Sequence, residues 1–295
     1  MNYYDYYLET KMKYKLINQN VQITHFGGNN NDDNSFSVCW KYFRENLKLL
    51  LNKFFRDKTI AGKAIKIIKR YQKNDKVVYE KLTILYNNLN KKETEDEKNA
   101  YRKIVANTKL NQIKPFLEAY KNKNYKKILD IGCEDCFQIK SIGEYLNIHE
   151  YYCLNIEDWN ESGYGLKRET CNLTIYDGFN IPYQNDEFDV ILLFQTLHHI
   201  QHNINTYMND VRRILKKGGL LIIREHDCTE KYFSKLIDIE HGLYDVVRDG
   251  NENFFDNYYG DYKSSDEWDK IIDLHKLFQI QLNTPTNTYY AFYTK

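Results

Sequence analysis

The sequence predicts an α/β protein: a doubly wound, mostly parallel sheet with a terminal antiparallel strand pair, preceded by a small helical region. Three observations carry this. The run Lys127-Ile128-Leu129-Asp130-Ile131 breaks at Gly132, and helix-like spacing follows at Ile139, Ile142 and Leu146. A buried parallel strand turns into a helix in this way beside a ligand crevice. Strand-like runs recur at 151–156, 190–194 and 220–224, far enough apart for crossover helices. The tail alternates at 278–282 and 289–293 around Pro285, as a closing strand pair does.

Residues 1–35 are rich in Tyr and then in Gly, Asn and Asp, and read as an arm and linker. A basic helical region is expected over 36–110. Its apolar positions repeat at helical spacing in four groups: Phe43, Leu47, Leu50, Leu51 and Phe54; Ile60, Ala64, Ile67, Ile68 and Tyr71 behind a Thr59 cap; Val78, Leu82, Leu85 and Leu89 after Asp75; and Tyr101, Ile104, Val105 and Thr108 after an acidic start. A separate helix over 113–120 leads into the sheet domain, placed at 111–295. Residues 228–262 have weak periodicity and read as an insertion above the sheet, where substrate loops sit. Residues 268–277 read as a helix.

The net charge of +1 conceals an asymmetry: residues 1–127 carry a balance of +14 and residues 128–295 one of −13. The halves either attract each other or leave the basic half for a polyanion. Lys63, Lys66, Lys69, Arg70 and Lys73 make a stripe suited to phosphates or simply to solvent. No apolar run reaches the roughly 18 residues of a membrane span, and the first residues lack a signal-peptide core. A cytoplasmic protein without membrane contact is expected. Six scattered Cys, with a single CxxC at Cys133 and Cys136, read as reduced and structural.

The loop after the first strand excludes a dinucleotide. A pyrophosphate needs close-approaching glycines and no neighbouring anions, whereas Asp130, Glu134 and Asp135 surround this turn. Such a rim suits a ligand bearing an ammonium and a sulfonium. With that loop in place, the chain resembles the class I S-adenosylmethionine-dependent methyltransferases, of the type 11 variety, over about residues 112–295. Four stretches in the family's order carry the resemblance: 128–136, 151–157, 177–191, and Gln195-Thr196-Leu197-His198-His199-Ile200 followed by Arg213-Ile214-Leu215-Lys216-Lys217-Gly218-Gly219-Leu220.

The resemblance implies a Rossmann-like fold and S-adenosylmethionine as cofactor. It places Asp130, Gly132, Cys133 and Glu134 at the methionine end and Asn155 at the ribose. Asp177 and Gly178 fall at the adenine, and Phe194 and Gln195 near the sulfonium. Two positions depart from the family pattern: Glu134 and Cys136 replace motif glycines, and Asn155 stands where an acid is usual, with Glu157 or Asp158 close enough to substitute.

Methyl transfer from a sulfonium is mainly a matter of alignment and water exclusion, with a base required only where the acceptor loses a proton. The base candidates at the strand ends are His198, Glu225 and His226; His199 and Asp227 stand beside them. His198 and His202 have two-ligand helical spacing, but His199 stands where a zinc protease carries Glu, so no metal is assigned. No Asn-Pro-Pro-Tyr, Asp-Pro-Pro-Tyr or Pro-Cys is present, and Gln195 replaces the Asp of the Lys-Asp-Lys-Glu ribose methylases. The leading expectation is a methyltransferase with an unassigned acceptor. The alternatives are an RNA or cap methyltransferase docking RNA on its basic helices, and an inactive methyltransferase-like binding subunit.

Overall fold

The computed structural model describes residues 34–89, 94–133, 136–156, 171–200, 203–248, 250, 251 and 253–295. The arm at 1–33, and with it the Tyr-rich segment, lies outside the described residues.

Among the described residues, five helices come first: α1 (Ser35–Tyr42), α2 (Arg44–Phe55), α3 (Lys58–Tyr71), α4 (Asp75–Asn87) and α5 (Glu95–Leu117). Helix α1 comes before the first apolar group expected at Phe43, because Phe36, Val38 and Cys39 bury one face. The cap of α3 is Asp57, whose carboxylate accepts from the backbone N–H of Thr59 and Ile60. Asn74 caps α4, which frees Asp75 for another task. Its carboxylate is buried and accepts from Ser35 N at 2.7 Å and Phe36 N at 3.2 Å, pinning the start of α1 to that of α4. Helix α5 begins with a Thr94–Glu97 capping box and runs unbroken through 110 and 111 to Leu117, with Pro115 near its end. The two helices expected over 101–120 are therefore one.

The sheet follows: β1 (Lys127–Ile131), α6 (Phe137–Tyr145), β2 (Glu150–Asn155), β3 (Asn172–Ile175), β4 (Phe188–Phe194), a 3₁₀ turn at Leu197–His199, α7 (Ile204–Ile214) and β5 (Leu215–His226). Beyond it lie α8 (Phe233–Gly242), a π-helical turn at Leu243–Arg248, α9 (Phe254–Asn257), α10 (Ser265–Ile272), β6 (His275–Gln281) and β7 (Thr288–Thr294). The strand order is β3-β2-β1-β4-β5-β7-β6, with the first five parallel and β7 antiparallel to both β5 and β6. The expected doubly wound sheet with a terminal antiparallel pair is thus present. The short edge strand β3 carries no long apolar run, so its sequence hides it. Helix α10 stops at Ile272 because Asp273 adopts a left-handed conformation, and residues 275–277 are strand rather than helix.

Three apolar cores form among the described residues. One lies on each face of the sheet. The third joins α1–α4 to α8 and the π turn, with Leu47, Leu51 and Ile68 packed in the same cluster as Leu236, Ile237 and Leu243. The segment at 228–262 is therefore largely helical and shares its core with the N-terminal helices. No described helix is long and apolar enough to cross a membrane.

Candidate active site

At the carboxyl end of β1 the chain turns through Gly132, whose φ of +77° is the left-handed region where a side chain is strained. Its N–H donates to Leu154 O on β2 at 2.8 Å, and Thr196 Oγ1 donates to Ile131 O at 3.2 Å. Asp130 and Cys133 are buried beside this turn; Glu134 lies outside the described residues. Asn155, at the end of β2, is also buried. Its Nδ2 donates to Cys133 O at 3.2 Å, and its Oδ1 accepts from Ile156 N at 3.0 Å. Both ends of this amide brace the loop, so a ribose hydroxyl would compete with those bonds. Glu157 and Asp158 lie outside the described residues.

After β3, Asp177 is exposed and organises its own turn. Oδ1 accepts from Phe179 N at 2.7 Å and Asn180 N at 2.8 Å, while Oδ2 accepts from Asn180 Nδ2 at 2.8 Å. Gly178 has φ +85°, and a Cβ there would stand 3.4 Å from Ile156 Cγ2. The two glycine turns thus flank the end of β2. Acceptor-bearing Asp177 beside a glycine and an isoleucine suits a flat heterocycle with an exocyclic amine, and the acid-rimmed Gly132 turn suits a cationic end. These residues fit S-adenosylmethionine.

At the end of β4, Phe194 is fully buried and meets Tyr290 edge-on at 5.6 Å; the Lys109 ammonium lies 5.8 Å from its ring centroid. Lys109, buried on α5, was not legible as a neighbour of this site, since its helix pattern gives no sign that a cation faces inward. Gln195, at φ +55°, is buried, and its Nε2 donates to His226 Nε2 at 2.8 Å. His226 Nδ1–H donates in turn to Thr286 O at 3.0 Å. Burial holds this imidazole below its ordinary pKa, in keeping with a neutral ring that donates at one nitrogen and accepts at the other.

Glu225 accepts from Leu197 N at 2.9 Å and contacts His198 Nδ1 at 2.5 Å. Burial pushes its carboxyl up to about 7. The structure brings His198, Glu225 and His226 together. All three are at most 1% exposed, so they form a closed cluster rather than an open crevice wall. His199 and His241 join it, along with Tyr258 and Tyr262. Asp227, by contrast, accepts from Ser265 N and starts α10. His202 lies outside the described residues. An open cavity of about 470 Å³ lies between Asn46, Asp227, Phe233 and the β6–β7 hairpin. Asp227 lines it, but none of the residues expected to hold the cofactor does.

The expectation of six reduced cysteines is corrected for one pair. Cys136 and Cys171 are joined as a disulfide, with Cα atoms 6.3 Å apart, and Cys153 Sγ lies 3.7 Å from Cys136 Sγ. Cys136 opens α6 after β1, Cys153 is on β2 and Cys171 precedes β3, so adjacency of the three strands brings together residues the sequence separates.

Residues 129–223 match the family model described as a methyltransferase domain. No curated protein sequence matches the chain. Among solved structures, the PH0226 protein of Pyrococcus horikoshii OT3 is 17% identical, with TM-score 0.45 over 64% of this chain and 90% of that one. A SAM-dependent methyltransferase of Methanosarcina mazei is 13% identical, with TM-score 0.43 over 61% of this chain and 97% of that one. One of Aquifex aeolicus is 13% identical, with TM-score 0.38 over 57% and 81%. The strand order and the family match agree: residues 129–223 form a methyltransferase-type domain.

Proposed function

We propose that the chain is an active methyltransferase that binds S-adenosylmethionine across the ends of β1, β2 and β3. The observation that carries this is the pair of positive-φ glycines, Gly132 and Gly178, with the exposed Asp177 carboxylate between β3 and β4. Gly132 and the backbone of Cys133 would hold the methionine end, and the buried Lys109 supplies a cation on that side of Phe194. Asp177 would accept from the adenine amine. When bound, the cofactor supplies an electrophilic methyl group on a sulfonium. The protein's part is alignment and exclusion of water, for which the buried Phe194 and Gln195 are suited.

Calorimetric titration with S-adenosylmethionine and S-adenosylhomocysteine tests the reading. Heats for both ligands are expected. A flat titration of folded protein would favour an inactive binding subunit instead.

A second reading takes RNA as the acceptor. It is favoured by the solvent exposure of Lys63, Lys66, Lys69, Arg70 and Lys73 on and just after α3. Replacing any one of them with Gln removes a cation that would pair with a phosphate, and should lower the salt dependence of RNA binding by about one in log–log slope. A slope unchanged in the fivefold variant would end this reading.

A further inference from the structure

Four histidines crowd together above the ends of β4 and β5. His198 and His199 come from the 3₁₀ turn after β4, His226 from the end of β5, and His241 from the last turn of α8, immediately before the π-helical segment. Ring nitrogens of His198, His199 and His241 all lie within 4.8 Å of one another. These three rings are at most 3% exposed. Buried imidazoles are poor core material, and a tight group of three from two distant parts of the chain needs a physical reason.

Their outer hydrogen bonds supply one. His198 meets Glu225 Oε2 through Nδ1, and His199 Nδ1–H donates to the backbone carbonyl of Tyr259 at 3.0 Å. His241 Nδ1 meets the hydroxyls of Tyr258 and Tyr262. Metal-bound histidines are oriented in this way, with one ring nitrogen fixed by a carboxylate, a carbonyl or another polar group and the other presented to the ion. His226, held between Gln195 and Thr286, is not part of the close triad.

We propose that His198, His199 and His241 bind a divalent transition metal of the zinc class through their Nε2 atoms. Three imidazoles suit zinc, cobalt, nickel or copper rather than magnesium or calcium. Tetrahedral ligation at ~2.0–2.1 Å puts nitrogens about 3.3 Å apart, so the triad must contract by roughly 1 Å or a little more. The ion would tie α8, and through it the core shared with α1–α4, to the strand ends beside Gln195. Three protein ligands leave one tetrahedral position for water or an acceptor atom. The Cys136, Cys153 and Cys171 group is the competing cluster, but a disulfide already engages two of its sulfurs. Spacing along the sequence pairs His198 with His202 and so misses this site; the third ligand comes from α8, a helix about forty residues further on.

The test uses the full chain stripped with a chelator and titrated with Co²⁺, then with Zn²⁺. One equivalent of Co²⁺ is expected to give visible ligand-field bands without a thiolate charge-transfer band. Zn²⁺ should displace it. His241→Gln should weaken binding by more than about a hundredfold, and Glu225→Gln by about 10–100-fold. Wild-type protein that takes up no metal would overturn the proposal, even if the variants fail to fold. So would a thiolate band, or a folded His241→Gln with unchanged affinity. None of these readouts depends on methyl transfer, so the site and the enzyme assignment fail separately.

Discussion

Asp177→Asn isolates the contact that the proposed function assigns to the adenine amine. In the native turn, Oδ1 accepts two backbone N–H groups, and an asparagine carbonyl can take over both. Oδ2 becomes an NH₂ donor. The Asn180 amide, which now donates to it at 2.8 Å, must rotate to present its oxygen, an exposed adjustment of small cost. The turn should survive, with a melting temperature within about 3 °C of wild type. The adenine amine, however, loses a charged acceptor and meets a donor. A hydrogen bond to a charged group contributes about 1.5–3 kcal/mol, so the Kd for S-adenosylhomocysteine should rise roughly 10–150-fold. The same titration with the inosyl analogue, which carries an oxygen in place of the amine, completes a cycle. Wild type should strongly prefer the amine, and the variant should lose or reverse that preference. Equal affinity of both proteins for S-adenosylhomocysteine, with the turn intact, would refute the placement of adenine at Asp177.

Three further outcomes follow from the helical half. Burial raises the Asp75 carboxyl from 3.8 to about 6, against the pull of the Ser35 and Phe36 N–H groups. The native state then holds a proton that the unfolded chain releases, so stability falls as pH rises through that window, by about 3 kcal/mol; denaturant melts of Asp75→Asn should lack this slope. Burial by itself would raise Glu240, but Lys53 at 3.2 Å and His226 outweigh it and hold the carboxyl well below its usual range. This stabilisation is present above the ordinary carboxylate pKa and fades as pH falls below it. Lys53→Met should cost about 3 kcal/mol near neutral pH and show a weaker acid-side loss, measured by the same melts. At the contact between α8 and α4, a Cβ on Gly242 would stand 2.4 Å from the buried Tyr79 hydroxyl. Gly242→Ala should therefore destabilise by about 1–3 kcal/mol through overpacking, whereas the unobstructed Gly62→Ala in α3 should not.

The parallel strands were legible because a buried parallel strand writes itself as a short continuous apolar run, as in 128–131 and 190–194. The turns at Gly132 and Gly178 were legible for a similarly local reason: positive φ selects glycine. Where the signal was weak or contested by neighbours, the reading slipped. Edge strand β3 is half exposed, and Thr59 and Asp75 look like caps although Asp57 and Asn74 do the capping.

The chain's order of residues was enough to establish the sheet, its turn into α6 and the acidic composition of the loop between β1 and α6. Each of these depends on residues a few positions apart, whose spacing matches a strand or a helix repeat. Only folding decided that Asn155 braces Cys133, that Cys136 meets Cys171, and that His241 arrives beside His198 and His199. Those pairings bring together residues from 22 to more than 40 positions apart, through packing of α8 on the strand ends and of β2 and β3 beside β1. No local periodicity encodes such a contact, because it depends on which surfaces bury one another.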